Sequence, residues 1–443
     1  MIKTHKKNND LLEKGARKIC HILSNNGYIA YFAGGCVRDL IMKRTPIDYD
    51  IATNAVPDKV GTLFPHSITL WKNYGVVRVL LPEGEFEVTT FRSDAPYFDG
   101  RHPSSVTFST PEEDAKRRDF TINALFYDPI HEKIIDYVGG QEDIKKRVIR
   151  TVGNPYQRFS EDYLRLLRAV RFSARFNFDI EEETLQAMKA LHENIKNVSA
   201  ERIRDEITKI LTEGNPKLAF EILSQTELLR EILPEIADLQ GVQQDNEFHP
   251  EGDVWTHTLL ALQELKQPPI ELAMAVLLHD VGKKETFTVA DRFRFPKHES
   301  VGAHITKNIL ERLRFSNIET EHIVWLVKNH MTLLQYPQMK ESTRKKLFRN
   351  PIFPLLLELV KTDIKASHGD MSPLLQIETD YKAFLKELPK LKPLLCGKDL
   401  IALGYTPGPV FKTILSEIEN AQLEGTLKTK EEAVQYVLKH WHK

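Results

Sequence analysis

The sequence predicts an α+β protein in which a mixed head is followed by an almost entirely helical remainder. Up to about residue 150 helix-like segments alternate with strand-like ones, whereas from about residue 155 apolar residues recur with the helical period. Further breaks in the pattern lie near residues 236 and 385. The expected division is therefore a head (1–150), a helical neck (151–235), a second helical domain (236–385) and a helical tail (386–443).

Composition is that of an ordinary globular protein, with 443 residues, 41% hydrophobic, 28% charged, and a net charge of −1. This balance argues against a protein that coats nucleic acid indiscriminately, but it allows a local basic groove. No apolar run approaches the roughly 18 residues that span a bilayer, so we expect no membrane association. The polar N-terminus and three scattered cysteines favour a reducing cytoplasm, and nothing indicates a protein partner.

The elements of the head are expected in a definite order. Residues 10–27 have helical periodicity, and residues 28–35 form a predicted strand that runs into a glycine turn. A short helix is expected over residues 36–44 and a strand over residues 47–53. The run "GVVRVLLPEGEFEVTTFR" has two β-rich halves around a Pro-Glu-Gly turn, which predicts a hairpin.

Two acids and a glycine turn form the first candidate site. Asp48 and Asp50 are two apart on the predicted strand, so both carboxylates point to one face. Such a pair suits magnesium ions that hold a nucleotide's phosphates and activate a hydroxyl. Gly34 and Gly35 let backbone amides approach anionic oxygens, and Arg38 could reach a triphosphate. Each feature alone is weak evidence for a nucleotide site, because alternating acids are common on exposed strands.

In combination the motifs are more specific. "GGCVRD", "DYD", "FEVTTFRSD" and "EDAKRRDFTINALFYD" resemble the head of the polymerase-β-like nucleotidyltransferases, and more narrowly the class II tRNA CCA-adding enzymes and bacterial poly(A) polymerases. The resemblance extends over residues 20–235 and implies that Asp48 and Asp50 bind Mg²⁺. Glu87 is the expected third carboxylate, with an exposed strand acid as the alternative. The same resemblance implies that Arg118 and Asp119 are site residues.

The stretch "SEDYLRLLRAVRFSARF" (160–176) is expected to form one helix and resembles this family's "EDxxRxxRAxRF" motif. The matching polar residues are Glu161, Asp162, Arg165, Arg168 and Arg171. The resemblance implies a protein template that selects CTP or ATP without a nucleic-acid template. In "SAERIRDEITKIL" (199–211), Glu201 and Arg202 are expected to brace that template.

The chemistry of the nucleobases supports a template function. Cytosine and adenine both present an amino donor beside a ring-nitrogen acceptor; a carboxylate accepts from the first and a guanidinium donates to the second. Guanine and uracil present the reverse order. Asp162 and Arg165 are expected to form this edge together, and Arg168 and Arg171 to serve phosphate binding or structural pairing. The alternative is a ladder of salt bridges along a charged helix.

The helical half carries a second candidate site. His257, His279, Asp280 and Asp363 occur in an order that resembles the HD phosphohydrolase superfamily, which implies a helical fold around a divalent metal. Imidazole and carboxylate ligands suit Mn, Ni or Co. His298 and His330 could hold a second ion, and Lys283 could contact a phosphate. The alternatives are a buried His–Asp pair without metal, or a platform for tRNA without hydrolysis.

Two further segments bear on the substrate. "YFDGRHPSSV" (97–106) resembles a flexible loop implicated in the switch from CTP to ATP, although it could be a plain surface loop. In the tail, a Pro-Gly-Pro turn at 407–409 opens a helix whose start could hold a tRNA phosphate, or which simply joins two helices.

The predicted function is thus a tRNA nucleotidyltransferase that adds C, C and A to the tRNA 3′ end from CTP and ATP and releases diphosphate. The partners are tRNA and the two nucleotides, and the cofactor is Mg²⁺. The nearest alternative is a poly(A) polymerase or an A-only adder. A hydrolase that acts on RNA-end phosphates through the HD residues is the alternative of another class, and a binding module with both sites decayed is the third.

Overall fold

The computed structural model describes residues 2–71, 74–95, 105–245, 249–289, 292–367, 369–387 and 393–441. The chain divides into two compact units, Met1–Ala237 and Asp238–Lys443. The predicted loop at 97–106 lies outside the described residues except for its last two positions. No helix within the described ranges is long and apolar enough to cross a membrane.

The first unit contains all the strands of a seven-stranded sheet, together with two small two-stranded pairs. In chain order its strands are β1 (Ala30–Ala33), β2 (Asp50–Thr53), β3 (Ser67–Trp71), β4 (Val76–Leu81), β5 (Gly84–Thr90), β6 (Arg92–Asp94), β7 (Val106–Phe108), β8 (Phe126–Asp128), β9 (Lys133–Ile135), β10 (Val148–Ile149) and β11 (Asp179–Ile180). The order in the large sheet is β3-β4-β5-β2-β1-β8-β9, with β2 parallel to β5 and the other neighbours antiparallel. The predicted hairpin is confirmed as β4–β5.

Helices cover this sheet and continue into a helical region. They are α1 (Ile2–Asn25), α2 (Gly35–Ile41), α3 (Pro57–Leu63), α4 (Pro111–Lys116), α5 (Gly140–Lys146), α6 (Pro155–Glu161), α7 (Leu164–Phe176), α8 (Glu182–Leu191), α9 (Ala200–Glu213), α10 (Pro216–Gln225), α11 (Leu228–Ile232) and α12 (Pro234–Ala237). Short 3₁₀ turns occupy Thr121–Asn123 and His192–Asn197. The predicted α+β class is confirmed by this arrangement.

Two local predictions are wrong. The strand expected over residues 47–53 begins only at Asp50, so Asp48 precedes it. The single helix expected over 160–176 is interrupted, because α6 ends at Glu161 and α7 begins at Leu164. At the break Asp162 is extended, and its Oδ1 accepts a hydrogen bond from the Leu164 backbone N–H at 3.1 Å. An aspartate side chain that binds the nearby backbone competes with helix formation in this way.

The second unit is helical apart from a small hairpin, β12 (Thr288–Val289) and β13 (Phe293–Arg294). Its helices are α13 (Val254–Gln263), α14 (Ile270–Leu278), α15 (Lys283–Thr286), α16 (His298–Arg312), α17 (Asn317–Asn329), α18 (Glu341–Phe348), α19 (Phe353–Ala366), α20 (Ser372–Glu387), α21 (Gly397–Ala402), α22 (Pro409–Leu423) and α23 (Lys430–His440). A 3₁₀ helix spans Thr332–Gln338. Helix α14 is apolar and almost fully buried, and α13, α17 and α19 pack around it.

Candidate active sites

A cavity of about 460 Å³ in the first unit gathers most of the residues predicted for the nucleotide site. The predicted residues that line it are Gly35, Arg38, Asp50, Glu87, Arg118, Asp119, Asp162, Arg165 and Arg168, and they are joined by Arg117, Asn123, Phe172 and Arg202. Residues from β1, β2, β5, α2, α7 and α9 therefore meet at one place. Of the predicted residues, all of them described, Asp48, Glu161 and Arg171 are not part of this lining.

Two of the three predicted metal-binding carboxylates, those of Asp50 and Glu87, line the cavity. Because β2 runs parallel to β5 with Ile51 opposite Val88, Asp50 and Glu87 are side by side on neighbouring strands. Asp48 is exposed, Tyr49 is buried and Asp50 is exposed, so both aspartates face away from the core. Although the Asp50 side chain reaches solvent, it lies in the recess of the cavity, where partial desolvation raises its pKa to about 6; the charges of Asp48 and Glu87 act in the same direction. A cation would relieve this repulsion, so the residues present fit a divalent metal.

The glycine turn lies next to these acids. Gly34 has a φ of 71°, and a Cβ built on it would lie 2.9 Å from Nη1 of Arg118, so a larger residue would displace that guanidinium. Arg38 is 4% exposed and donates to Asp39 and to Asn123 Oδ1, the latter at 2.6 Å. Its guanidinium also lies over the ring of Phe176. These contacts favour a role for Arg38 in joining α2 to α7 rather than direct phosphate binding.

Asp119 and Arg168 form a tight ion pair in the cavity wall. Arg168 donates through Nε to Asp119 Oδ2 at 2.8 Å, and Asn123 donates to Oδ1 at 3.2 Å. Burial opposes ionisation of Asp119, but Arg168, Arg165 and the Phe120 backbone N–H outweigh it and lower its pKa to about 2. Arg168 is therefore held in place while part of its surface faces the cavity.

The break between α6 and α7 positions the predicted base-reading pair. Arg202 from α9 donates to both oxygens of Asp162, at 3.1 and 2.7 Å. Arg165 donates through Nη1 to Glu161 Oε2 at 2.6 Å and to the Arg158 carbonyl at 2.7 Å. Its Nε and Nη2 have no hydrogen-bond partner among the described residues. Asp162 thus offers a fixed acceptor and Arg165 offers donors on the same cavity wall.

Glu161 and Arg171 belong to the same sequence motif but do not line the cavity, and both bind other side chains. Glu161 bridges Arg158 and Arg165 and lines a neighbouring cavity. Arg171 is buried against Glu206 of α9, with 3.2 Å between Nε and Oε2. Sequence reasoning gave no role to Arg117 or to Asp114, the buried acid that holds it. The available signal was the spacing of Asp114, three and four residues before two consecutive arginines.

The second unit brings the predicted histidines and aspartates together. His257 Nε2 is 3.0 Å from Asp363 Oδ1, and His279 Nε2 is 3.2 Å from Asp280 Oδ2. The two imidazole Nε2 atoms are 3.3 Å apart. His298 Nε2 and His330 Nε2 are likewise 3.2 Å apart, near Asp280 Oδ1 at 3.5 and 3.9 Å. Asp280 therefore lies between two groups of imidazoles, an arrangement that fits one or two divalent metals.

The surroundings of this cluster support metal binding. Burial and the neighbouring His279 lower the pKa of His330 to about 4, which keeps its imidazole neutral and able to bind a metal. Burial opposes protonation of His257, but Asp363 and Glu251 raise its pKa to about 9, so a metal ion that binds this imidazole must displace a proton from it. Glu251 accepts from Nδ1 of His257 at 2.7 Å, so Nε2 is the atom directed at the cluster. Sequence reasoning did not identify Glu251.

Three segments of the chain match models of known protein families. Residues 30–150 match the model of the poly A polymerase head domain, and residues 177–240 match that of a probable RNA and SrmB-binding site of polymerase A. Residues 300–438 match a putative tRNA nucleotidyltransferase domain 2. Together with the carboxylate-bearing sheet, these matches define a nucleotidyltransferase of the polymerase A type.

Comparison with individual proteins identifies the family within this class of nucleotidyltransferases. The CCA-adding enzyme of Enterococcus faecalis is 31% identical over 439 residues, which cover 95% of this chain and 94% of that enzyme. That of Bacillus subtilis is 40% identical over 285 residues, or 63% of this chain and 71% of the enzyme. The chain belongs to the family of CCA-adding enzymes, as its motifs predicted. Nucleotidyltransferases of this family use a divalent metal such as Mg²⁺.

Other matches are partial or structural. The chain spans 63% of the length of the Lactobacillus helveticus CCA-adding enzyme, to which it is 41% identical over 254 residues, or 56% of this chain. A crystal structure of the Bacillus stearothermophilus CCA-adding enzyme in complex with CTP superimposes with a TM-score of 0.73, 28% identity and 97% coverage of both chains. A Thermotoga maritima CCA-adding enzyme complexed with tRNA shares the fold at 21% identity, a TM-score of 0.58, and coverage of 97% of this chain and 95% of that one.

The raised pKa of Asp50 predicts a stability change in the metal-free protein. At pH 8 the carboxylate is charged in both states and the folded state bears the repulsion, whereas at pH 4.5 the carboxyl of the folded state is protonated and most of the repulsion is absent. Asp50→Asn should therefore raise the melting temperature at pH 8 in EDTA and change it much less at pH 4.5. Added Mg²⁺ should stabilise the unsubstituted protein more than the variant.

Asp179→Asn is the control, since this acid is exposed on β11 of the same unit. A melting temperature that falls at pH 8 in Asp50→Asn, or rises equally in both variants, would contradict the proposed repulsion among the carboxylates.

Proposed function

We propose that this protein is a template-independent tRNA nucleotidyltransferase that adds C, C and A to tRNA 3′ ends from CTP and ATP, with release of diphosphate. One observation carries the proposal. A single cavity is lined by the carboxylates of Asp50 and Glu87, by the glycine turn, and by Asp162 and Arg165, which Arg202 and Glu161 hold in place. Such a cavity can bind the phosphates and read the base of the same nucleotide.

The acids would hold the metal in this reaction. Asp48, Asp50 and Glu87 are the residues that would hold divalent metal, which lowers the pKa of the attacking hydroxyl and stabilises charge on the phosphates. The terminal 3′ oxygen of the RNA forms a bond to the α-phosphorus, the α–β phosphoanhydride bond breaks, diphosphate leaves, and the hydroxyl proton is released to solvent. Arg118 and the Gly34–Gly35 turn bind the phosphate oxygens.

A second pair of lining residues, Asp162 and Arg165, would select the base. Asp162 accepts from the amino group of cytosine or adenine, and Arg165 donates from Nε or Nη2 to the adjacent ring nitrogen. Arg202 prevents Asp162 from turning away, and Glu161 fixes the Nη1 end of Arg165. Uracil and guanine would place donor against donor and acceptor against acceptor, and each unpaired buried group costs about 1–3 kcal/mol.

Each region of the chain is given a role in the proposed enzyme. We assign residues 1–150 to the nucleotidyltransferase head, 151–235 to the neck, 236–385 to the histidine–aspartate domain and 386–443 to a tail that binds tRNA. The tail contains its own buried apolar cluster, formed by Leu400, Ile414, Val437 and their neighbours. We place the enzyme in the cytoplasm, where its thiols stay reduced.

Extension of a tRNA that ends before CCA tests the main proposal. CTP alone should give two added nucleotides, CTP with ATP should give C, C and A, and Asp48→Ala or Asp50→Ala should abolish both reactions while tRNA still binds. The carboxylates act on the phosphates and the hydroxyl, so their loss leaves the RNA contacts intact.

Binding of the tRNA is measured in parallel by filter retention. Extension by a single A only on tRNA already ending in CC would indicate the A-only alternative, and a long A tail would indicate the poly(A) alternative. Substantial transfer by either alanine variant would contradict the assignment of the acids.

We also propose a second activity, metal-dependent hydrolysis of phosphate esters at RNA ends, in the second unit. The observation that favours it is that His257 and His279 each lie within 3.0–3.9 Å of both Asp280 and Asp363. Neutral imidazoles and carboxylates suit Mn, Ni or Co, which would supply an activated water. Lys283 lies 2.7 Å from Asp280 and is placed to contact a phosphate.

The two activities should separate in single variants. His279→Ala should lose hydrolysis of a 2′,3′-cyclic nucleotide in Mn²⁺, Ni²⁺ or Co²⁺ and keep CTP addition, because its site and the nucleotide cavity lie in different units. Asp50→Ala should show the opposite loss. His304→Ala is the matched control, since this histidine is exposed on α16.

Metal content after dialysis provides a second measurement for the same variants. If the unsubstituted protein binds none of these ions and hydrolyses none of the esters, the cluster is a scaffold and the second activity is refuted.

A further inference from the structure

Asp114 occupies a position that none of the assigned roles explains. It lies in α4, a six-residue helix capped by Thr110 and containing three consecutive acids. Glu112 and Glu113 face solvent and pair with Lys116 at 2.9 and 3.0 Å. Asp114 instead points inward and is 1% exposed. An acid is rarely buried to this degree unless its charge is matched and its oxygens are hydrogen-bonded.

Each oxygen of Asp114 holds one arginine. Oδ1 accepts from Nε and Nη2 of Arg117 at 2.9 and 2.7 Å, and also from the Arg92 backbone N–H at 3.3 Å. Oδ2 accepts from Nε and Nη2 of Arg118 at 3.2 and 3.0 Å. Burial opposes ionisation of Asp114, but the two arginines outweigh it and lower its pKa.

The two guanidinium groups diverge from this carboxylate, and both arginines contribute to the lining of the nucleotide cavity. Arg118 reaches the glycine turn, where Nη1 donates to the Asn123 carbonyl at 3.3 Å and adjoins Gly34. Arg117 extends toward Asp94, with 3.7 Å between Nη1 and Oδ2. One buried carboxylate thus fixes two cations, of which Arg117 also lies beside Asp94 and Arg118 lies beside the glycine turn.

We propose that Asp114 is a positioning residue that, with Arg117 bound to its other oxygen, sets Arg118 at the distance and angle needed to bind the nucleotide's phosphates. The inference rests on the proposed function, since it takes this cavity as the nucleotide site. A guanidinium tethered through Nε and one Nη has its remaining N–H groups aimed in a fixed direction, which lowers the entropy lost when a phosphate binds. Asp114 itself touches no substrate.

Asp114→Asn tests this role because it keeps the shape of the side chain. The amide NH₂ would place a hydrogen-bond donor opposite the donors of one arginine, so the guanidinium of that arginine is released. The KM for CTP and ATP should rise about tenfold, with a smaller change in kcat, as expected for loss of a charged hydrogen bond. Affinity should fall more for CTP than for CMP, because the effect is exerted on the phosphates. A purely structural role would lower the melting temperature without this dependence on phosphate number.

The matched control is Glu112→Gln, which removes one negative charge from the same helix at its exposed face. Asp114→Glu is a second variant that keeps the charge and displaces both arginines by one methylene, so it tests positioning even if the asparagine variant fails to fold. Wild-type KM and CTP affinity in a folded Asp114→Glu or Asp114→Asn protein would overturn the inference. Failure of the unsubstituted protein to bind CTP would instead refute the proposed function.

Discussion

The pairing of Asp162 with Arg202 is the interaction on which the proposed selection of nucleotides depends. It keeps Asp162 extended between two helices, where its carboxylate faces the cavity instead of continuing a helical surface. In a continuous helix the residue would lie one turn from Arg165 and the two charges would satisfy each other. Because each partner is bound elsewhere, to Arg202 and to Glu161, both keep hydrogen-bonding capacity for a base.

The carboxylates of the cavity differ in how far nearby arginines compensate their charge. Near the base-reading pair every carboxylate is matched by an arginine, and Asp119 remains ionised because Arg168 and Arg165 outweigh the cost of its burial. At Asp50 desolvation and the neighbouring acids Asp48 and Glu87 together raise the pKa of the carboxyl to about 6. A neutral base edge is best read by fixed hydrogen-bonding groups, whereas a triphosphate with metal requires uncompensated negative charge on the protein. The distribution of charge thus follows the parts of one nucleotide.

The sequence predicted the fold class, the hairpin and the family because these depend on periodicity and on local motifs. It did not predict the break at Asp162, since the apolar period continues through the break, and the distant Arg202 as well as the nearby Leu164 N–H hold the aspartate there. The partners of Arg38 were also not predicted. Its position after the glycine turn suggested phosphate binding, but Asn123 and the ring of Phe176, remote in sequence, hold its guanidinium. Likewise Asp114 resembled its exposed neighbours until the tertiary structure showed which acid is buried.

The most direct test of the central claim uses a CTP analogue that lacks the 4-amino group. If Asp162 accepts a hydrogen bond from that group, wild-type enzyme should add the analogue with a kcat/KM at least about tenfold lower than that for CTP, since an acceptor in the cavity is left unpaired. In Asp162→Asn, where the side chain can turn to present either its oxygen or its NH₂ group, the difference should shrink. Equal use of the two nucleotides by the wild-type enzyme would contradict the account.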